Sequence, residues 1–155
     1  MTDGIAVTDS SPLIIIHQIG RLELLRSLFL AVVAPPAVAR EIVPSLGALP
    51  TWITERPFPT TPKLAMSLDA GERETIALAL HVSADVIIVD DLSGRRRAAQ
   101  LGLGVIGSAG VLLQARRRGL IPTVRPELDA MVSNGLYFSS QLYREVVAAA
   151  GEEDS

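Results

Sequence analysis

The chain has 155 residues, of which 48% are apolar, a net charge of −3 and no cysteine. This length and apolar content fit a single domain with a buried core and exclude a disordered chain. The absence of cysteine excludes disulfides, thiolate catalysis and zinc–sulfur sites. No apolar run approaches the roughly 20 residues that span a bilayer. Asp3 and Asp9, rather than basic residues, precede the apolar stretch 13–16, unlike in a signal peptide. We therefore predict a cytoplasmic protein without a membrane partner, with one domain over residues 1–150 and a short polar tail over 151–155.

The first half of the chain predicts short strands that alternate with helices. Residues 5–8 are apolar and end at Asp9, which is typical of a buried strand. The segment 10–12, Ser-Ser-Pro, then begins a helix that ends at Gly20. The elements predicted after it are a helix over 22–28, a strand over 31–34, a helix that Pro35-Pro36 opens and that stops before Pro44, and a proline-rich loop over 49–62 with at most a short edge strand around Trp52 and Ile53.

The second half continues the alternation. Asp69 begins the clearest helix of the chain, and residues 86–89 form an aliphatic run that is typical of a buried strand. The remaining predicted elements are a helix over 93–100, a strand over 105–106, and helices over 108–118, 126–132 and 140–150. Strands alternating with helices indicate a mostly parallel sheet that is covered on both faces. The predicted fold is therefore a three-layer α/β/α sandwich with a mostly parallel central sheet.

Acidic residues follow two of the predicted strands. Asp9 comes after the first strand and Asp90 and Asp91 after the fourth, and functional groups of open parallel sheets gather at these carboxyl ends. Glu41 and Glu72 are two further candidates. Carboxylates without His or Cys partners suit hard ions such as Mg²⁺ or Mn²⁺. A pair of such ions can activate water and stabilise the leaving oxygen of a phosphodiester, so the acids predict a metal-dependent nuclease.

Each acid also has a purely structural interpretation. Asp9 could cap the helix that follows it, and Glu41 could be an ordinary solvated helix residue. Glu72 completes the pattern Asp69-x-x-Glu72, a capping box at a helix start. Glu74 lies about 200° around the helix from Glu72, which predicts a surface charge. Metal binding and capping remain open at these positions.

Two adjacent aspartates follow the fourth predicted strand. Adjacent side chains of extended backbone point in opposite directions, so either Asp90 or Asp91 could be the ligand, with its neighbour structural.

Thirteen of the 14 cationic residues are arginine, and six lie in the triplets 95–97 and 116–118. Arginine suits phosphate through its bidentate fork, although a high-GC genome would favour arginine as well. An aromatic content of 4% argues against a base-stacking platform for single strands.

Four segments resemble the successive acidic motifs of PIN domains: residues 7–13, 36–42, 68–72 and 88–91. A fifth segment, Gly-Ser-Ala-Gly-Val-Leu over 107–112, is similar to the Gly-Ser/Thr-x-Gly-Val-Leu segment of a prokaryotic PIN-like branch. The resemblance covers roughly residues 4 to 150. It implies an endoribonuclease that depends on Mg²⁺ or Mn²⁺, often the toxin of a toxin–antitoxin pair similar to VapC, and commonly a homodimer. The implied partners are an RNA substrate and an antitoxin protein.

The resemblance also assigns site residues. It implies that Asp9, Glu41, Glu72 and Asp91 (or Asp90) are the catalytic, metal-binding acids. We further predict substrate contacts at Ser10, Arg95, Arg96 and Ser108.

The chain departs from the family pattern at two points. Many active members have Asp where Glu72 stands, and often Thr where this chain has Val89. The alternative function is therefore a non-catalytic PIN-fold module that binds nucleic acid or protein. Response-regulator receivers and haloacid-dehalogenase phosphatases need an acidic pair or Asp-x-Asp after the first strand, which this chain lacks.

Overall fold

The structure is a computed structural model that describes residues 3–59 and 63–152. Its sheet has five strands, β1 (Asp3–Thr8), β2 (Phe29–Ala34), β3 (Ile53–Glu55), β4 (Val86–Ile88) and β5 (Val105–Ile106). All four strand pairings are parallel, in the order β3-β2-β1-β4-β5. The helices in the described residues are α1 (Ser10–Gln18), α2 (Glu23–Leu28), α3 (Pro36–Glu41), α4 (Val43–Leu46), α5 (Ala70–Val82), α6 (Leu92–Gln100), α7 (Ser108–Arg117), α8 (Arg125–Ser133) and α9 (Ser140–Ala149), with a 3₁₀ turn at Lys63–Ala65.

Successive strand residues enter separate hydrophobic cores, as expected for a sheet that is covered on both faces. Ala6 of β1 packs into the large core formed with α1, α2 and α7–α9, whereas Val7 packs into a smaller core with residues of α5. In β4, Ile88 joins the large core and Ile87 joins a third core that includes Ala98 of α6. This arrangement confirms the predicted three-layer α/β/α sandwich with a parallel sheet.

The strand order reverses beside β1, where a crevice is expected at the carboxyl ends of the strands. The chain builds β2 and β3 on one side of β1 and then returns to place β4 and β5 on the other side. Ligands of open parallel sheets bind where the order reverses, outside the carboxyl ends of the strands. The Asp9 amide donates a hydrogen bond to the Ile88 carbonyl at 2.9 Å. The residues that follow β1 and β4 are therefore neighbours at this crevice.

Most element predictions agree with the structure, with one clear difference around Pro44. The helix predicted to stop before Pro44 ends at Glu41, and α4 then contains Pro44 in its first turn. Proline is tolerated there because a first-turn amide has no partner within the helix. The edge strand predicted around Trp52 and Ile53 is β3, shifted to Ile53–Glu55. Residues 60–62 of the predicted proline-rich loop and residues 153–155 of the predicted tail lie outside the described residues. No helix in the described ranges is long and apolar enough to cross a membrane.

Candidate active site

Asp9 lies at the carboxyl end of β1, where α1 begins. Its side chain is 4% exposed, and its Oδ1 has no hydrogen-bond partner among residues 3–59 and 63–152. Asp9 occupies the N-cap position of α1, yet its side chain forms no capping hydrogen bond. The structure therefore does not support the helix-cap interpretation. It leaves a buried carboxylate oxygen without a partner, which is costly unless a cation or proton binds it.

Gly71, in the first turn of α5, is the point where Asp9 and Glu41 meet. A β-carbon at Gly71 would lie 2.2 Å from Glu41 Oε1 and 3.0 Å from Asp9 Oδ1. Glu41 ends α3 and is exposed. The Ser10 hydroxyl donates to Glu41 Oε1 at 3.1 Å. The two carboxylates thus flank the same stretch of backbone, and Glu41 is not an isolated solvated residue.

Glu72 extends this acidic edge toward α6. Its side chain is buried, and its Oε2 lies 3.2 Å from the position of a β-carbon at Gly94, in the first turn of α6. The Glu72 amide donates to Asp69 Oδ1 at 3.1 Å, so the cap at the start of α5 is present as well. The pKa of Glu72 is raised to about 8 by burial first, and then by the neighbouring carboxylates of Asp69, Asp91 and Asp9.

The pKa of Asp9 is raised in the same way, to about 7. Burial is the largest cause; a backbone hydrogen bond from Ser10 opposes it, and the charges of Asp69, Glu41 and Asp90 add to it. Asp69 therefore contributes to the electrostatics of both buried acids, a role that sequence reasoning missed because it treated Asp69 only as a helix cap. The Asp69-x-x-Glu72 pattern was the one signal that could have revealed it. Two buried acids with raised pKa values at one crevice are typical of a functional site.

Asp90 and Asp91, which the sequence could not distinguish, form different hydrogen bonds. Asp90 Oδ1 accepts from the Ser108 amide at 2.7 Å, and its Oδ2 accepts from the Ser108 hydroxyl at 2.5 Å. Asp91 caps α6, and its Oδ2 accepts from the amides of Ser93 and Gly94 at 3.0 and 3.3 Å. These two bonds of Asp91 end at the same oxygen, whereas both oxygens of Asp90 are engaged. Asp91 therefore has more freedom to act as a ligand.

The two serines that were predicted to contact substrate are bonded to acids instead. Ser108 is fully buried, and its hydroxyl donates to Asp90. Ser108 thus holds Asp90 in place, and the predicted substrate contact at Ser108 stays a prediction. Ser10 is only half-buried and holds Glu41.

The two arginine triplets lie in different surroundings. Arg95 is half-buried, and a β-carbon at Gly107 would lie 3.0 Å from Arg95 Nη1 and 2.9 Å from Asp90 Oδ1. Arg96 is exposed on the same helix. In the second triplet, Arg116 Nε lies 3.7 Å from Glu152 Oε2, and Arg118 donates to the Leu28 carbonyl. Arg95 of the first triplet thus lies at the acidic edge, whereas Arg116 and Arg118 of the second triplet have structural contacts.

Glu74 supports the site indirectly. It was predicted to be a surface charge, but its side chain is only 15% exposed. Its Oε1 accepts from the Ala37 amide at 2.9 Å, and its Oε2 lies 3.9 Å from Arg40. The prediction failed because α3 packs against the face of α5 that was taken to be solvated. Glu74 therefore anchors the start of the helix that ends with Glu41.

A sequence model of DUF3368, a PIN domain family, matches residues 5–152. The chain belongs to this family of PIN domains. Among solved structures, it is similar to a PilT N-terminus domain protein, SSO1118, from the hyperthermophilic archaeon Sulfolobus solfataricus P2, with a TM-score of 0.52 and 19% identity over 72% of this chain and 92% of that one. At this identity the likeness shows the fold alone. No curated protein sequence matches the chain.

PIN domains are generally nucleases and typically use divalent metals. The oxygen atoms at the acidic edge of this PIN domain are of the type that hard cations prefer as ligands. The crevice offers carboxylate oxygens, one of them the unpartnered Oδ1 of Asp9. Within residues 3–59 and 63–152, however, no three His, Asp or Glu side chains are already arranged to hold an ion. Asp9 and Glu41 are the candidate residues to hold a cation, with Glu72 and Asp91 as further candidates.

Proposed function

We propose that this PIN domain is a metal-dependent endoribonuclease that hydrolyses phosphodiester bonds of RNA at the crevice beside β1. Asp9, Glu41, Glu72 and Asp91 are the proposed ligands of Mg²⁺ or Mn²⁺. The observation that carries the proposal is the unpartnered, buried Oδ1 of Asp9 beside the Glu41 carboxylate at Gly71. As a helix cap, Asp9 would accept hydrogen bonds from first-turn amides, which its side chain does not, whereas a cation would satisfy the buried oxygen.

The cation and the residues of the acidic edge would have different roles in the reaction. A bound divalent cation would supply charge stabilisation and an activated water. Glu41 is oriented by Ser10, and Asp90 by Ser108. The chain has no cysteine, and water would be the nucleophile. Asp9, the most buried of the acids, would fix the site relative to the sheet.

Cleavage of RNA by the purified protein tests the proposal directly. A labelled single-stranded RNA should be cut in the presence of Mn²⁺ or Mg²⁺ and remain intact in EDTA. Replacing Glu41 by Gln should lower the rate more than the roughly 10- to 100-fold that loss of a supporting residue costs. An RNA that binds but stays intact at millimolar metal would instead favour the non-catalytic PIN-fold module.

The acidic crevice would repel RNA unless cations flank it, and we assign this part to Arg95 and Arg96. The double variant Arg95→Ala/Arg96→Ala should weaken RNA binding. It should also lower the slope of log K against log salt by about one for each phosphate that is no longer neutralised. Arg117→Ala is the matched control, because Arg117 is exposed at the far end of α7. Equal slopes for the wild type and the double variant would assign Arg95 and Arg96 to ordinary surface.

The toxin role, an antitoxin partner and a homodimer are the finer parts of the proposal. A short upstream reading frame that encodes a DNA-binding protein would support the toxin–antitoxin assignment. Sedimentation of the purified chain would test the homodimer. Growth arrest on expression, absent in an Asp9→Asn variant, would connect toxicity to the acidic crevice. The cytoplasmic location stays a prediction.

A further inference from the structure

A groove of about 480 Å³ opens directly beside the acidic edge. Its lining includes the polar residues Asp90, Asp91 and Arg95, and it includes Tyr137, Phe138 and Leu142. A volume in this range holds a small molecule or one unit of a polymer. The groove is therefore continuous with the proposed cleavage site and differs from it in chemistry.

Tyr137 is the most exposed of the large apolar or aromatic residues in the described chain, at 86%. Its neighbours Leu136 and Phe138 are half-buried and pack against the large core. Both anchors hold the short segment between α8 and α9 against the domain, so the backbone presents the Tyr137 ring to solvent at the groove. The chain has only six aromatic residues, and two of them are consecutive here. The low aromatic content is thus less informative than the position of these two rings.

Arg95 lies beside Asp90 in the lining of the groove. Its Nη1 and the Asp90 Oδ1 both lie within about 3 Å of the point where a β-carbon of Gly107 would stand. The groove thus offers carboxylates, a guanidinium and an exposed aromatic ring. A nucleotide chain presents matching groups, because a phosphate suits arginine and every base has a face that stacks on an aromatic ring.

We infer that this groove binds an unpaired nucleobase next to the scissile phosphate, with Tyr137 stacking on the base and Arg95 contacting the adjoining phosphate. The inference rests on the proposed function for placing the scissile bond at the acidic edge. Bases in a duplex are paired and stacked on one another, so the groove selects single-stranded nucleic acid. The groove is thus a subsite that orients the substrate relative to the acidic crevice.

Binding measured without metal tests the groove. The probe is a labelled single-stranded oligouridylate of about eight nucleotides, within the site size of small single-strand binding folds, titrated in EDTA at low salt and followed by fluorescence anisotropy. Tyr137→Ala should weaken binding about ten-fold, the size of one missing base–aromatic stack. Tyr137→Phe, which keeps the ring, should bind like the wild type. Leu30→Ala is the control, since Leu30 is 77% exposed near the amino end of β2.

An abasic oligomer of equal length and charge gives the second measurement. Wild-type protein should bind it about ten-fold more weakly than the oligouridylate, and Tyr137→Ala should hardly distinguish the two. Any one of three results would overturn the inference. Tyr137→Ala and Leu30→Ala could bind the oligouridylate equally, or the wild type could bind both oligomers equally. The third result is no measurable RNA binding. The assay involves neither metal nor cleavage, so a failure of the proposed nuclease activity leaves it interpretable. If the protein cleaves RNA but its binding does not depend on the base, the inference about the groove fails and the proposed nuclease function stands.

Discussion

Gly71→Ala should abolish most of the RNA cleavage and the metal response of the protein while leaving its fold intact. A β-carbon at this position would lie 2.2 Å from Glu41 Oε1 and 3.0 Å from Asp9 Oδ1. The Glu41 carboxylate is the end of a flexible side chain and is exposed, so it will move away rather than unfold α5. That movement separates the two acids that would bind the cation first.

The stability of Gly71→Ala should stay equal to that of the wild type or rise slightly. Gly71 lies in α5 without a positive φ, and alanine is the better helix former, by up to about 1 kcal/mol in a helix interior. A displacement of about 1 Å in a catalytic group can cost about 100-fold in rate. We therefore expect a rate loss of this order together with an unchanged or higher melting temperature.

Cleavage rates and metal-induced melting shifts of three proteins would decide this prediction. Leu80→Ala is the control for α5, because Leu80 lies on the same helix and is 39% exposed. It should retain both the rate and the Mn²⁺ response. If Gly71→Ala has wild-type activity, the close approach of the Asp9 and Glu41 carboxylates at Gly71 is not needed for catalysis.

The acidic edge could be predicted because its main members follow buried strands. Asp9 and Asp90 stand directly after aliphatic runs, and parallel strands bring their carboxyl ends to one edge. Glu41 and Glu72 needed the family resemblance, since a helical glutamate has no local signal that separates a ligand from a solvated charge. The sequence also predicted both layers of helices, because their caps and periodicity are local.

Features that depend on packing between distant elements could not be predicted in this way. The Ser108–Asp90 bond joins residues 18 positions apart and requires β5 to pair with β4. The burial of Glu74 depends on how α3 crosses α5. The exposure of Tyr137 depends on the packing of Leu136 and Phe138 on either side. No periodicity within one element encodes these contacts.

Asp9→Asn should stabilise the metal-free protein at alkaline pH and remove its response to metal. The folded-state pKa of Asp9 is about 7, compared with an ordinary value of 3.8. An acid whose pKa is raised by folding contributes stability below its unfolded pKa, and this contribution is lost as the pH rises through the folded pKa. The wild type in EDTA should therefore lose stability between about pH 4 and pH 8 through this group, whereas Asn does not titrate.

The size of the effect follows from the shift. A difference of about three pKa units corresponds to at most about 4 kcal/mol at pH 8, and each kcal/mol changes the melting temperature of a domain of this size by about 2–4 °C. The difference in melting temperature between Asp9→Asn and the wild type in EDTA should thus grow by several degrees from pH 5 to pH 8. Glu23→Gln is the control, because it removes the same charge from a side chain that is 74% exposed.

Mn²⁺ should reverse the order of the two proteins. A cation that binds only the folded state stabilises it by mass action, and about 100 times its Kd contributes about 2.7 kcal/mol. The wild type should gain several degrees at millimolar Mn²⁺, whereas Asp9→Asn should gain little because the amide is a neutral, weaker ligand. A wild type that does not respond to Mn²⁺, or an Asn variant that responds equally, would rule out Asp9 as a ligand. The unpartnered Oδ1 of Asp9 would then be a cost of the fold, and the non-catalytic PIN-fold module would be the better account of this chain.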